Sequence, residues 1–142
     1  MVGLDDAAHL ALAMPEAVEG ESRGWRTWSV GKKAFAWERP FSKADVRRFG
    51  NEEPPSGPIL AVRVEDLSEK EAVLAAGVPG VFTIPHFDGY PAVLVQLDAV
   101  DADALREALV DGWLACAPPD LGRDYVEQAE QPDRAEEQPE DR

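Results

Sequence analysis

The sequence predicts a single α+β domain in which a mainly antiparallel sheet of about five strands carries helices packed on one face. Two observations support this fold class. Short alternating or β-branched segments are joined by hairpin-type connections, and segments with helical spacing lie between them. The chain has 142 residues, enough for one hydrophobic core, and it contains no internal repeat and no second domain.

The first elements are a helix and a β-hairpin. The helix is predicted by an aspartate cap, apolar residues at helical spacing and a terminating proline: Asp5 or Asp6, then Ala7, Leu10, Ala11 and Met14, then Pro15. In the hairpin, Trp28 and Val30 alternate with polar residues, and Phe35 and Trp37 resume the alternation. The turn between them is Gly31-Lys32, and glycine in its first position favours type II′.

A strand follows the hairpin after a polar excursion. Residues 40–58 are rich in proline and glycine, so they are expected outside the sheet. Within them, Ser42 and Asp45 form the S-x-x-D signature of a helix start, and Gly50 can end that short helix. The β-branched segment 59–64 predicts the next strand.

The last third adds two helices and two strands. Ser68 and Glu71 form a capping box that predicts a helix ending at Gly77. The remaining elements are strands at 81–84 and 92–97 and a helix from an Asp101 cap to Pro118, whose Leu105, Leu109, Gly112, Trp113 and Cys116 share one face.

Charge divides the chain into unlike segments. The formal net charge is −14, from 28 acidic and 14 basic residues. Residues 120–142 hold nine acidic residues and three arginines with few apolar side chains, which predicts a disordered acidic tail after a domain at 1–119. Residues 23–48 instead hold eight basic and two acidic residues. The domain is therefore expected to carry a basic region on an acidic body.

Several classes of protein are disfavoured. No apolar run approaches the roughly 18 residues that span a bilayer, so no membrane partner is expected. The single cysteine, Cys116, permits no internal disulfide and no cysteine-based zinc site, which suits the cytoplasm. The chain has no phosphate-binding glycine loop and no nucleophile elbow, so no cofactor is predicted.

Four segments resemble successive blocks of the MmcQ/YjbR family, over roughly residues 4–118: LAMPE at 12–16, GKKAFAW at 31–37, ILAVRV at 59–64 and TIPHFDGYPAVLV at 83–95. The last segment matches the family's H-x-x-G-Y-P pattern through His86, Gly89, Tyr90 and Pro91. The resemblance implies a bacterial protein with a fold like that of the bacterial frataxin homologue, a double-wing arrangement. It also implies DNA binding. No enzymatic activity is expected, because the residues offer no nucleophile with an oriented base.

Basic residues near the hairpin are the candidate DNA-binding set. Lys32 and Lys33 lie at the hairpin tip, where a wing could reach phosphates, and a basic loop follows. The full set is Arg23, Arg26, Lys32, Lys33, Lys43, Arg47, Arg48 and Arg63. The acidic balance predicts weak, salt-dependent binding. In the alternative interpretation these side chains only solvate the surface and pair with the surplus carboxylates.

The connection at 85–91 is a candidate ligand cleft. His86, Asp88 and Tyr90 could exchange protons, but no nucleophile with an oriented base accompanies them, so no catalytic residue is predicted. Turn chemistry at Gly89 explains the segment equally well. The alternative function is therefore a small-ligand or protein-interaction module near His86 and Tyr90, with its partner unidentified.

Two further groups have both a functional and a structural interpretation. Acidic residues in and after the first helix could form a metal-binding ridge, but they are typical of a solvated face, and no metal site is predicted: Asp5, Asp6, His9, Glu16, Glu19 and Glu21. The tryptophans could stack nucleobases if exposed, whereas core packing is their usual role: Trp25, Trp28, Trp37 and Trp113.

Overall fold

The computed structural model describes residues 2–130 and confirms the α+β fold class. Within these described residues, one antiparallel sheet has six strands in the order β1-β2-β3-β4-β6-β5. The strands are β1 (Val18–Ser22), β2 (Trp25–Val30), β3 (Lys33–Glu38), β4 (Ile59–Arg63), β5 (Val81–Phe82) and β6 (Ala92–Gln96). The helices are α1 (Leu4–Leu12), α2 (Lys43–Arg48), α3 (Leu67–Ala75), α4 (Ala102–Cys116) and α5 (Pro119–Ala129), with a 3₁₀ turn at Pro85–Phe87.

One face of the sheet is covered by α1 and α4, and we call it the helical face. Alternate strand residues such as Trp28, Leu60 and Val95 point into this core, where α4 supplies Leu109 and Trp113. The Trp113 Nε1 group donates a hydrogen bond to the carbonyl oxygen of Pro15 over 2.9 Å, which ties α4 to the end of α1. These contacts form the main core.

The opposite face is covered over β4, β5 and β6, which are half of the six strands described. Over β4 and β6, Ala61 and Leu94 pack against Phe87 of the 3₁₀ turn and against Phe41 and Phe49, which flank α2. Over β1, β2 and β3 no helix packs on this face within the described part of the chain. We call that uncovered half the open face.

A β-bulge in β3 decides which side chains reach the open face. Trp28 pairs with Ala36 but Ser29 pairs with Ala34, so Phe35 is an extra residue in the strand. Phe35 and Ala36 are therefore both buried in the helical-face core, and Trp37 packs on the opposite face. The predicted alternation of Phe35 with Trp37 on one face is wrong for this reason.

Several local details differ from expectation. The hairpin turn is type I′, because Gly31 and Lys32 both have positive φ, 56° and 72°. Helix α1 begins after Gly3 rather than after Asp5 or Asp6, and it ends before Pro15 as predicted. Helix α3 is capped by Asp66 rather than by Ser68, and the Asp66 carboxylate accepts from the Glu69 amide over 2.8 Å. The cap of α2 is confirmed, since the Ser42 hydroxyl accepts from the Asp45 amide over 3.1 Å.

Two elements were not predicted. Strand β1 is an edge strand with all five residues exposed, so its sequence lacks an apolar alternation. Helix α5 occupies residues predicted to belong to a disordered tail, and that prediction is wrong for 120–129. The Tyr125 ring of α5 packs 5.2 Å from the Trp113 ring, centroid to centroid. The rest of the predicted tail, 131–142, lies outside the described residues.

Candidate functional site

A groove of about 940 Å³ lies on the open face. Strand residues Trp25, Thr27, Ala34 and Trp37 form its floor, and we call it the open-face groove. Its sides come from the β1–β2 turn, from the start of β3, from residues 38–42, from the end of β4 and from the 85–91 connection: Ser22, Arg23, Lys33, Glu38, Arg39, Pro40, Phe41, Ser42, Arg63, His86 and Tyr90. Glu38 is the single carboxylate among these lining residues.

Three cations of the groove have no carboxylate partner in the part of the chain that the structure describes. Arg23, Lys33 and Arg63 form no ion pair with any carboxylate within residues 2–130. The Arg63 Nε group donates to the Pro91 carbonyl over 3.2 Å, and its guanidinium carbon lies 5.6 Å from the centre of the Tyr90 ring. Arg63 is thus held in place with its terminal nitrogens available for an anion.

Arg39 also lines the groove, but it is committed to the fold. Its Nη1 group forms an ion pair of 3.0 Å with Asp45, a carboxylate only 1% exposed, and its guanidinium lies over the Phe87 ring. This ion pair holds the 39–42 segment against α2. Arg39 therefore shapes the groove wall rather than contributing a free charge.

Aromatic rings are exposed beside these cations. Trp25 is 43% exposed and Tyr90 is 42% exposed. Tyr90 is fixed by edge-on contacts with Trp37, at 6.5 Å between ring centres, and with Phe87, at 5.8 Å. The groove therefore combines exposed aromatic surface with positive charge.

Lys70 holds the Tyr90 side of the groove from below. It is a buried residue of α3, and its Nζ group donates to the carbonyl oxygens of Phe87 and Tyr90. Burial lowers the pKa of Lys70, and the charge of Asp88 opposes that shift. Sequence reasoning missed this residue because a lysine in a polar helix gives no signal of burial.

Replacing Lys70 by methionine tests this role. At neutral pH we expect the free energy of unfolding to fall by about 1–3 kcal/mol, because two carbonyls lose their donor. Since the pKa is lowered in the folded state, the native protein should gain stability as pH rises towards the ordinary lysine value, and Lys70→Met should lack this gain. Urea unfolding across that pH range measures both effects. Lys43→Met, at an exposed lysine, is the control, and equal pH profiles for the two variants would contradict the assignment.

Arg26 lies on the other side of the sheet from the groove. Its side chain points to the helical face, where Nη1 contacts Asp5 and Nε contacts Glu19, each at 3.0 Å. The hydrogen bonds to Glu19 and Asp5 raise the pKa of Arg26, and the Arg26 bond lowers the pKa of Glu19. Arg26 is therefore neutralised locally and is not part of the open-face groove.

The other predicted cations lie outside the groove lining. Lys32 is exposed at the hairpin turn, and Lys43 and Arg47 are exposed on α2. Arg48, also on α2, lies 3.6 Å from Asp45. The predicted basic set is thus split, and the structure brings together only Arg23, Lys33 and Arg63 of its eight members.

The His86, Asp88 and Tyr90 group is not assembled for proton transfer. His86 and Tyr90 line the groove, Asp88 does not, and no hydrogen bond joins these three side chains. Cys116 is buried, and that burial raises the pKa of its thiol, which makes it a poor nucleophile. The predicted cleft therefore merges with the basic groove.

The acidic residues near α1 serve local contacts. Asp6 accepts from the Gly3 amide over 2.9 Å, and Glu19 accepts from the Trp28 indole over 2.9 Å as well as from Arg26. Across residues 2–130, no three His, Cys, Asp or Glu side chains are grouped to hold a metal ion. In the same part of the chain, no helix is long and apolar enough to cross a bilayer.

Fold and groove together define a small α+β domain whose half-covered antiparallel sheet presents a basic, aromatic surface. The chain belongs to the YjbR family, whose model matches residues 12–115. The family predicted from the H-x-x-G-Y-P segment and its companions is thereby confirmed.

The relatives extend beyond the family match. The chain is 46% identical over 130 residues to Uncharacterized protein Rv2570 of Mycobacterium tuberculosis (strain H37Rv) and to Uncharacterized protein Mb2600 of Mycobacterium bovis, covering 89% of this chain and 97% of each relative. The crystal structure of Deinococcus radiodurans protein DR2400, with domain DUF419, matches with a TM-score of 0.54 and 21% identity. That match covers 80% of this chain and 78% of DR2400, and it supports the fold alone.

Proposed function

We propose that this YjbR-family chain is a non-enzymatic, cytoplasmic protein that binds DNA in the open-face groove. The observation that carries the proposal is a set of three cations, Arg23, Lys33 and Arg63, that pair with no carboxylate of residues 2–130. They lie around one groove with exposed aromatic rings. Lysine and arginine at such positions contact phosphates and orient a nucleic acid without reading its bases. DNA is accordingly expected along the groove rather than on α2.

The charge distribution sets the expected strength of binding. The groove is locally positive, while the whole chain has a formal net charge of −14 and repels a polyanion at long range. Short-range phosphate contacts therefore have to overcome repulsion from the rest of the chain. Binding is expected to be weak and to weaken further with salt.

A salt titration tests the proposal. Anisotropy of a labelled single strand of about 12 nucleotides, a length within the usual site sizes, is measured at several salt concentrations. Three phosphate contacts predict a slope of log affinity against log salt of about −2, from about −0.7 per contact on a single strand. Arg63→Gln and Lys33→Gln should each make the slope shallower by about 0.7.

The matched control is Arg106→Gln, at an exposed arginine on α4, which packs against the helical face. It removes the same charge from the protein without touching the groove, so it should leave the slope unchanged. No binding at low salt, or equal slopes for Arg63→Gln and the native protein, would contradict the proposal.

A small ligand is the second candidate. The groove volume of about 940 Å³ lies within the range of roughly 300–1,000 Å³ typical of ligand sites. If the groove binds a small ligand, a mononucleotide should displace the labelled strand at the same molar concentration as an unlabelled oligonucleotide does. Competition by the oligonucleotide alone favours DNA.

A further inference from the structure

We propose that the open-face groove selects single-stranded over duplex DNA, with bases stacking on Trp25 and Tyr90. This inference rests on the proposed DNA binding and specifies the form of DNA that is bound. Strand selection depends on the shape of the groove and its aromatic rings, whereas the salt dependence of binding depends on its cations.

The shape of the site favours a single strand. Proteins read duplex DNA with elements that protrude into its grooves, such as a helix or a two-stranded ribbon. The open-face groove is instead a recess, with strand residues as its floor and the 39–42 and 85–91 segments beside it. A recess lined by aromatic rings accepts bases that are splayed out of a stack, which a single strand offers at little cost.

The exposure of the aromatic residues supports the same conclusion. Trp28 and Trp113 are fully buried, at 0% exposure, as expected for core tryptophans, but Trp25 is 43% exposed and Tyr90 is 42% exposed. Tyr90 is held by Trp37 and Phe87, so a base would meet a ring already fixed in position. Ordering the ring on binding then costs little entropy.

A cation accompanies each exposed ring. Arg63 lies against the Tyr90 ring, with 5.6 Å between the guanidinium carbon and the ring centre. Arg23 lies two residues before Trp25 in the chain, and both line the groove. Stacked bases and adjacent phosphates of one strand would therefore meet ring and cation in turn, which is the pattern of single-strand binding surfaces.

The test compares a single strand with a duplex of the same sequence. We expect the single strand to bind at least about fivefold more tightly, which is the lower end of what one stacked base contributes. Trp25→Leu keeps an apolar side chain but removes the ring, and it should lower single-strand affinity about fivefold or more. The same substitution should leave the salt slope unchanged because it removes no charge, and Trp25→Phe should largely restore single-strand binding.

Intrinsic fluorescence gives a second readout. Because Trp28 and Trp113 are fully buried, quenching by an added single strand should arise from Trp25 and Trp37. The Trp25→Phe variant should therefore lose much of the quenching while still binding. Thermal unfolding of each variant verifies that the fold is retained, as the exposure of Trp25 predicts.

The outcomes separate this inference from DNA binding itself. Equal or tighter duplex binding, with a slope that still depends on Arg63, would overturn strand selection and leave DNA binding in place. A single-strand preference that survives Trp25→Leu would overturn the stacking role of Trp25. Failure of both DNA forms to bind at low salt would overturn both proposals.

Discussion

Replacing Trp113 by alanine is expected to lower the free energy of unfolding by about 3–5 kcal/mol. The side chain is fully buried between the sheet and the helices, so its removal leaves a large cavity in the main core. It also removes the donor to the Pro15 carbonyl and the ring that packs against Tyr125. Urea unfolding followed by circular dichroism measures the loss.

Trp113→Phe separates packing from hydrogen bonding at the same position. The smaller ring keeps most of the buried surface but leaves the Pro15 carbonyl without its donor, so a loss of about 1–3 kcal/mol is expected. If Trp113→Ala lowers the free energy of unfolding no more than Trp113→Phe does, packing of the ring does not stabilise the core as expected.

Asp45→Ala is the second substitution expected to have a large effect, and it should lower the free energy of unfolding by about 2–4 kcal/mol. The Asp45 carboxylate accepts from the Ser42 amide over 2.9 Å and from Arg39 over 3.0 Å, and it lies 3.6 Å from Arg48. Its loss removes the α2 capping box and leaves Arg39 unpaired. The cost falls below that of breaking a fully buried pair because the Arg39 side chain is 18% exposed and can be partly hydrated.

Acid should reproduce part of this loss in the native protein. Burial alone would raise the pKa of Asp45, but hydrogen bonds from Ser42 and Arg39 outweigh it and lower the pKa below its ordinary value of 3.8. Its stabilising contribution is therefore complete above that value and is lost as pH falls through the lowered folded value. Asp45→Asn should lose less stability than the native protein between pH 7 and pH 3. Identical losses in urea unfolding would argue against the charged role.

The elements that sequence predicted well are those with a local chemical signal. The Ser42 cap of α2 and the apolar face of α4 depend on short spacings that tertiary contacts reinforce. Strand β1 has no such signal, because an exposed edge strand needs no apolar residues. Helix α5 was missed because its contacts to the core come from few side chains, notably Tyr125.

The candidate site was predictable in composition but not in geometry. The predicted basic set grouped cations that are close in the sequence. Strand alternation, however, places the side chains of Arg26 and Trp25 on opposite faces of the sheet. That separation could have been predicted from the period of the hairpin. The meeting of Arg63 with Tyr90 could not, because it depends on sheet order and on the buried Lys70 that fixes the 85–91 connection.

The bulge at Phe35 shifts the alternation of inward-facing and outward-facing side chains along β3. Ala34 and Trp37 face the groove, while the two consecutive residues between them face the core. Losing or gaining one residue there would exchange inward and outward positions, so stability and ligand contact would fail together. Relatives that keep both stability and ligand contact are therefore expected to tolerate substitutions in β3 more readily than changes in its length. The type I′ turn before it lies outside that constraint, so insertions should accumulate there first.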